Sequence, residues 1–162
     1  MELELVRVGG TRGLYAIAGV GTLRVEGILG RSAVVEADGI VWRVARRGLF
    51  GSDAEATVAG GIVVGRFEAN ALRRGGVLRW DERELTLCPA SSWRERYAVA
   101  DGHQELAVLE GKGWGRRPVR ILVEDKAAIN AGLLLFAAFV VRGLAEDATS
   151  GSAVVSSTAA MG

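Results

Sequence analysis

The sequence predicts an all-β fold in which a closed antiparallel barrel of about ten to twelve short strands surrounds one central hydrophobic helix near the C-terminus. Three observations carry this. Short segments of alternating polarity are separated by recurrent turn signals. Residues 128–144, AINAGLLLFAAFVVRGL, form the one long apolar run. Glycine is abundant, at 23 residues against two prolines, and is scattered rather than gathered in a linker.

The turns come first. Asp38-Gly39 separates SAVVEA from IVWRVA, Gly60-Gly61 separates AEATVA from IVVGRFEA, and Asp101-Gly102 separates RYAVA from HQELAVLE. Asp-Gly and Gly-Gly suit the positive backbone angles of hairpin turns. VLRW and ELTLC flank Asp81-Glu82-Arg83, a fourth hairpin. Upstream, LELVRV, residues 14–18 and GTLRVEG read as strands, and PVRILVE is the last strand before the apolar run. A meander this long curls rather than staying flat, and closure removes its exposed edges.

The apolar run places large side chains on every face of a helix, so it is either buried all round or spans a membrane. Spans need about 20 apolar residues, and runs of about 10–14 are typical of buried core helices. The stretch 131–141 has the shorter length and Arg142 closes it, so a core helix over about 128–146 is expected. Asp125 or Asn130 can cap its first turn. Glu146 and Asp147 have the wrong sign for a helix C-terminus, so stability must come from packing. Each large apolar side chain buried there contributes roughly 1.5–3 kcal/mol before entropy is counted. The domain is expected over 1–147, and the small, polar stretch 148–162 is expected to be a disordered tail.

The net charge is +1, from 20 basic and 19 acidic side chains. Nothing global points to nucleic acid, and an anion site would have to be local. One cysteine excludes an internal disulfide and a multi-cysteine metal site. MELELVRV lacks the basic and apolar regions of a signal peptide, so a cytoplasmic location, peripheral to a membrane if the basic loops meet one, is the default.

The strand meander followed by GKGWGRRPVRILVED and AINAGLLLFAAFVVRGL resembles the tubby C-terminal-like superfamily, which includes tubby domains, LURP-one-related proteins and phospholipid scramblases. The resemblance covers roughly residues 3–144 as a pattern, and small bacterial members are the most similar in form. It implies a closed barrel around a central helix and a role at anionic lipid or phosphoinositide head groups. The cysteine-rich lipidation stretch and acidic calcium-type loop of scramblases have no counterpart here. Tubby's lipid-binding residues map onto no position of this chain.

The best local anion site is Lys112, Arg116, Arg117 and Arg120, with Trp114 suited to a lipid interface and Gly111, Gly113 and Gly115 allowing close backbone approach. Against this stands a solvated loop whose Trp114 caps the core. Arg73-Arg74 and Arg46-Arg47 are further basic pairs at glycine-containing turns, and a patch exists only if the fold gathers them. His103, the one histidine, reads as exposed at a strand start, with no nucleophile set beside it by any motif. Alternation puts Cys88 on either face of its strand, and a small buried hydrophobe is the common fate of a lone cysteine. The carboxylates are dispersed among arginines and fit solvent-facing cross-strand pairs. Trp42, Trp80 and Trp93 fit core or rim packing.

No catalytic constellation, metal set or cofactor motif emerges, so the reading leans away from an enzyme. The expected function is a non-enzymatic barrel whose partner is an anionic membrane lipid or a protein. The alternatives are a scaffold module or a small-ligand binder, with the oligomeric state open.

Overall fold

The computed structural model describes residues 1–48, 51–72, 74–91, 95–111 and 118–160, with helix side chains described as far as Ala148. Twelve strands form one closed barrel: β1 (Glu2–Arg7), β2 (Leu14–Ile17), β3 (Gly21–Glu26), β4 (Ser32–Ala37), β5 (Ile40–Arg47), β6 (Asp53–Thr57), β7 (Val63–Ala69), β8 (Gly76–Trp80), β9 (Arg83–Ser91), β10 (Arg96–Asp101), β11 (Gln104–Glu110) and β12 (Val119–Val123). Every strand pairs antiparallel with its neighbour in sequence, and β1 closes the ring on β12 with Leu5 opposite Val119. The N-terminal amine strengthens that seam, donating to the Val123 carbonyl at 2.8 Å while the Val123 amide donates back to Met1.

Barrels of about eight strands fill their interior with their own side chains, whereas those of about sixteen leave a channel. Twelve strands enclose a space of intermediate width that must be occupied. The helix α1 (Ala131–Ala160) occupies it. Every residue from Leu133 to Val141 is at most 5% exposed, as expected of a run apolar on all faces. The wall makes room with small inward residues: Ala33 and Ala37 on β4, Ala54 and Ala56 on β6, Gly65 on β7. A side chain on Gly21 would meet the Glu36 carbonyl, the Ala37 methyl and Leu135 of the helix.

The helix begins at Ala131 rather than at 128. Asp125 Oδ1 accepts the amides of Ala127 and Ala128, fixing a separate turn. Asn130 Oδ1 then accepts the Leu133 amide at 2.9 Å as the helix cap. Both expected caps are used, in series. The helix reaches past 146 into the stretch expected to be a tail, so Glu146 and Asp147 are not at its terminus. Their partners are barrel and helix arginines, described below.

Three turns differ in detail from expectation. The Asp81-Glu82-Arg83 turn narrows to Asp81-Glu82, because Trp80 pairs with Arg83. Both turn residues have positive φ, 46° and 67°. The Asp101-Gly102 turn moves on by one, with Asp101 paired to Gln104. Gly60-Gly61 sits within a longer connection, 58–62, held by Val58 N–H to the Ile62 carbonyl at 3.0 Å.

The outer wall is charged. Arg66 and Arg47 bracket Glu55 at 3.7 and 3.6 Å, and Arg79 lies between Glu68 and Glu84 at 3.4 and 3.3 Å. An apolar interior behind a charged exterior is the reverse of the polarity of a transmembrane barrel. Among the described residues no helix is long and apolar enough to cross a membrane.

Candidate functional site

In an antiparallel meander, alternate connections fall at opposite ends. The strand ends that flank positions 8–13, 27–31, 48–52, 70–75, 92–95 and 111–118 lie at the end toward which the helix runs. Connections 18–20, 38–39, 58–62, 81–82, 102–103 and 124–130 lie at the end where it starts. This sorting separates the charges. The first end carries Arg7, Arg12, Arg31, Arg47 and Arg74, all exposed. The other carries Asp38, Asp81, Glu82, Asp101 and Glu124, also exposed, with Lys126, Arg83 and the N-terminal amine as the cations among them. Arg83 is committed locally, to Asp101 at 3.3 Å and to the Ala128 carbonyl at 2.6 Å. A chain of net charge +1 thus has a basic end and an acidic end.

The basic end is built around the helix. Arg46, on β5, donates to the Gly51 carbonyl and to Asp147 Oδ2, the latter at 2.7 Å. It also lies against helix residue Gly143, where an added side chain would stand 3.3 Å from the guanidinium carbon. Arg142 reaches outward to Gly30, whose added side chain would stand 2.7 Å from Arg142 Nη1, and pairs with Glu146 at 3.2 Å. The Arg31 guanidinium packs on Gly51, and the Arg31 carbonyl accepts the Arg46 amide at 2.8 Å. Glycine is needed at Gly30 and Gly51 on two counts, positive φ of 64° at each and the arginine that crosses it. Glu26, Asp53, Glu95 and Glu110 are the other carboxylates near this rim among the described residues, Asp53 Oδ1 accepting the Ala69 amide at 2.9 Å.

Large aliphatic tips stand among these arginines. Ile28, Leu29 and Leu72 are 85%, 82% and 80% exposed, the three highest values for large hydrophobics among the described residues. Leu29 itself has φ 61° in a short 3-10 turn, so the loop presents it outward at a conformational cost.

Of the residues proposed from sequence, Arg74 lies on this rim, its amide donating to Asn70 Oδ1 at 3.1 Å. Burial pushes the Tyr97 phenol above its usual range, Glu95 adds to the shift and Arg74 opposes it. Arg120 is elsewhere, on the outer wall of β12, and pairs with Glu2 at 3.8 Å. Arg73, Lys112, Trp114, Arg116 and Arg117 lie outside the described residues, as does Trp93. Arg7, Arg12 and Arg31 were not singled out as candidates.

Cys88 is exposed rather than buried, because Leu87 takes the inward position and alternation turns Cys88 out. His103 is exposed at the acidic end, and Trp42 and Trp80 are core residues with rings 5.8 Å apart. Among the described residues no group of three or more His, Cys, Asp or Glu could hold a metal ion.

The space beside the helix next to Ser52 and Arg46 measures about 10 Å³, room for a single water. A larger groove of about 640 Å³ runs along β1 and β2 between Glu2, Leu3, Val6 and Ala18. It is open on one side. The charged groups lining it, Glu2, Glu4 and Arg7, are all exposed, so no buried polar group fixes a ligand's orientation there. Neither space is a built catalytic cleft. Comparison of the chain with family models, with curated proteins and with solved structures gave no match.

Proposed function

We propose that the chain is a non-enzymatic, peripheral membrane-surface binder that docks its basic end on anionic lipid. The observation that supports this is the coincidence of exposed Ile28, Leu29 and Leu72 with exposed Arg7, Arg12, Arg31 and Arg74 at one end, and of carboxylates at the other.

The energetics require both components. A cation near an anionic leaflet contributes about 1 kcal/mol, so four contribute about 4 kcal/mol, which by itself is weak binding. Burying each aliphatic tip in the interface adds roughly 1.5–3 kcal/mol. Together they anchor the barrel end-on, with the acidic end held away from the anionic surface. The element order is also that of the tubby-like group, in which tubby domains bind phosphoinositide head groups and scramblases act at membranes, while many small bacterial members have no assigned activity. A cytoplasmic location follows if the lipid is that of an inner leaflet.

Flotation of the full chain with vesicles tests this. Binding to vesicles containing anionic lipid, lost with neutral vesicles and released by salt, is the expected result. Leu29→Ser with Leu72→Ser should abolish it, while Ile62→Ser should not. Binding that ignores salt, or survives the double substitution, contradicts the reading.

A further inference from the structure

We propose that the chain associates with copies of itself end to end, the basic rim of one barrel seating on the acidic rim of the next. The inference does not rest on the lipid reading, although both use the basic rim.

The argument is one of complementarity. Asp38, Asp81, Glu82 and Glu124 are exposed, and none takes part in an ion pair among the described residues. The same holds at the other end for Arg7, Arg12, Arg31 and Arg74. On the wall, Arg66, Arg79 and Arg120 each have a carboxylate partner, while Arg24, Arg43 and Glu36 are exposed with no ion pair among the described residues. Among the described residues, the exposed charge outside ion pairs is thus mainly basic at one rim and acidic at the other.

Each rim also shows exposed aliphatic surface. Ile28, Leu29 and Leu72 stand at the basic end, and Ile40, Val41, Ile62 and Val63 at the acidic end. A contact between the two rims buries aliphatic surface on both sides and pairs cations with carboxylates. Contacts between like rims set equal charges face to face.

The occupant of each rim is thus a second copy of this chain. Because the complementary faces lie at opposite ends of one barrel, the contact is heterologous, and successive copies build an open row rather than a closed two-fold dimer.

Sedimentation velocity of the full chain, without lipid, tests this in about 20 mM and about 500 mM salt, where screening shortens from roughly 20 Å to roughly 4 Å. Two variants are compared, each first shown to be folded by its circular dichroism. One neutralises the basic rim (Arg7→Gln, Arg12→Gln, Arg74→Gln). The other neutralises the acidic rim (Asp38→Asn, Glu82→Gln, Glu124→Gln). The native chain should form species heavier than a dimer at low salt as concentration rises, and revert to the 17.1 kDa monomer at high salt. Each variant alone should be monomeric. Their equimolar mixture should yield a one-to-one dimer and nothing larger, since each retains one functional rim. A native chain that stays monomeric at low salt, one that stops at a dimer, or a mixture that stays monomeric overturns the proposal. Because no vesicle is present, these outcomes are independent of the lipid assay.

Discussion

Arg46 donates to Asp147 at 2.7 Å across 101 positions of sequence, tying the rim of the barrel to the helix that fills it. The arginine side chain is 12% exposed and the carboxylate 31%. Removing one partner of a half-buried charged hydrogen bond leaves the other desolvated and unmet. Asp147→Ala should therefore lower stability by about 1–3 kcal/mol. Glu146, its neighbour, pairs with Arg142 but is 46% exposed, and Glu146→Ala should change stability by less than about 0.5 kcal/mol. Urea unfolding of the two variants checks this. Equal losses would show that the Arg46 pair is not a tie.

Gly132 sits inside the helix yet cannot be improved as a helix residue. A side chain there would stand 2.8 Å from Trp80 and 2.9 Å from Trp42. Alanine elsewhere in a helix gains about 1 kcal/mol over glycine, but forcing a methyl into a packed aromatic contact costs roughly 1–3 kcal/mol. Gly132→Ala should lower the melting temperature. A higher one would mean that the two indoles do not close on the helix.

The Asp81-Glu82 turn holds two non-glycine residues at positive φ. The left-handed conformation costs a residue with a side chain roughly 1–2 kcal/mol, and less for aspartate than for glutamate. Glu82→Gly should stabilise the barrel by about 1 kcal/mol, read from the denaturation midpoint. It should also weaken end-to-end association, which needs that carboxylate.

The chain beyond Ala148 lies past the Arg46–Asp147 tie. Ending the chain after Ala148 should leave the melting temperature almost unchanged. A fall of many degrees would show that residues 149–162 contribute packing.

Much of the architecture could be read from residue patterns. The apolar run 131–141 has no polar face and is too short for a typical membrane span, so burial suits it, and the turn dipeptides mark most of the hairpins. The helix start was misplaced because Asp125 and Asn130 are equally good caps in sequence, and only the intervening turn separates their roles. The side of Cys88 was left open because its strand was read as ending there, whereas β9 runs on through Pro89 to Ser91 with Leu87 facing inward. The candidate site was harder. Arg7, Arg12 and Arg31 are single arginines in unlike loops, and no local motif links them. What links them is parity: in a meander every second connection returns to the same end. A firm strand count would have placed the segments around Arg12, Arg31, Arg47 and Arg74 on one rim and Asp38, Asp81, Glu82 and Glu124 on the other. Without that count, the near-zero net charge hid the separation.

The central claim is that one end of the barrel, and not the other, meets anionic lipid. The most direct measurement places an environment-sensitive fluorophore on a single cysteine at either end. With Cys88→Ser as background, Leu29→Cys reports the basic end and Ile62→Cys the acidic end. On adding anionic vesicles, emission from position 29 should shift to the blue, and salt should reverse the shift, while emission from position 62 stays unchanged. A shift at 62, or none at 29, would contradict the assignment of the basic rim as the membrane-facing end.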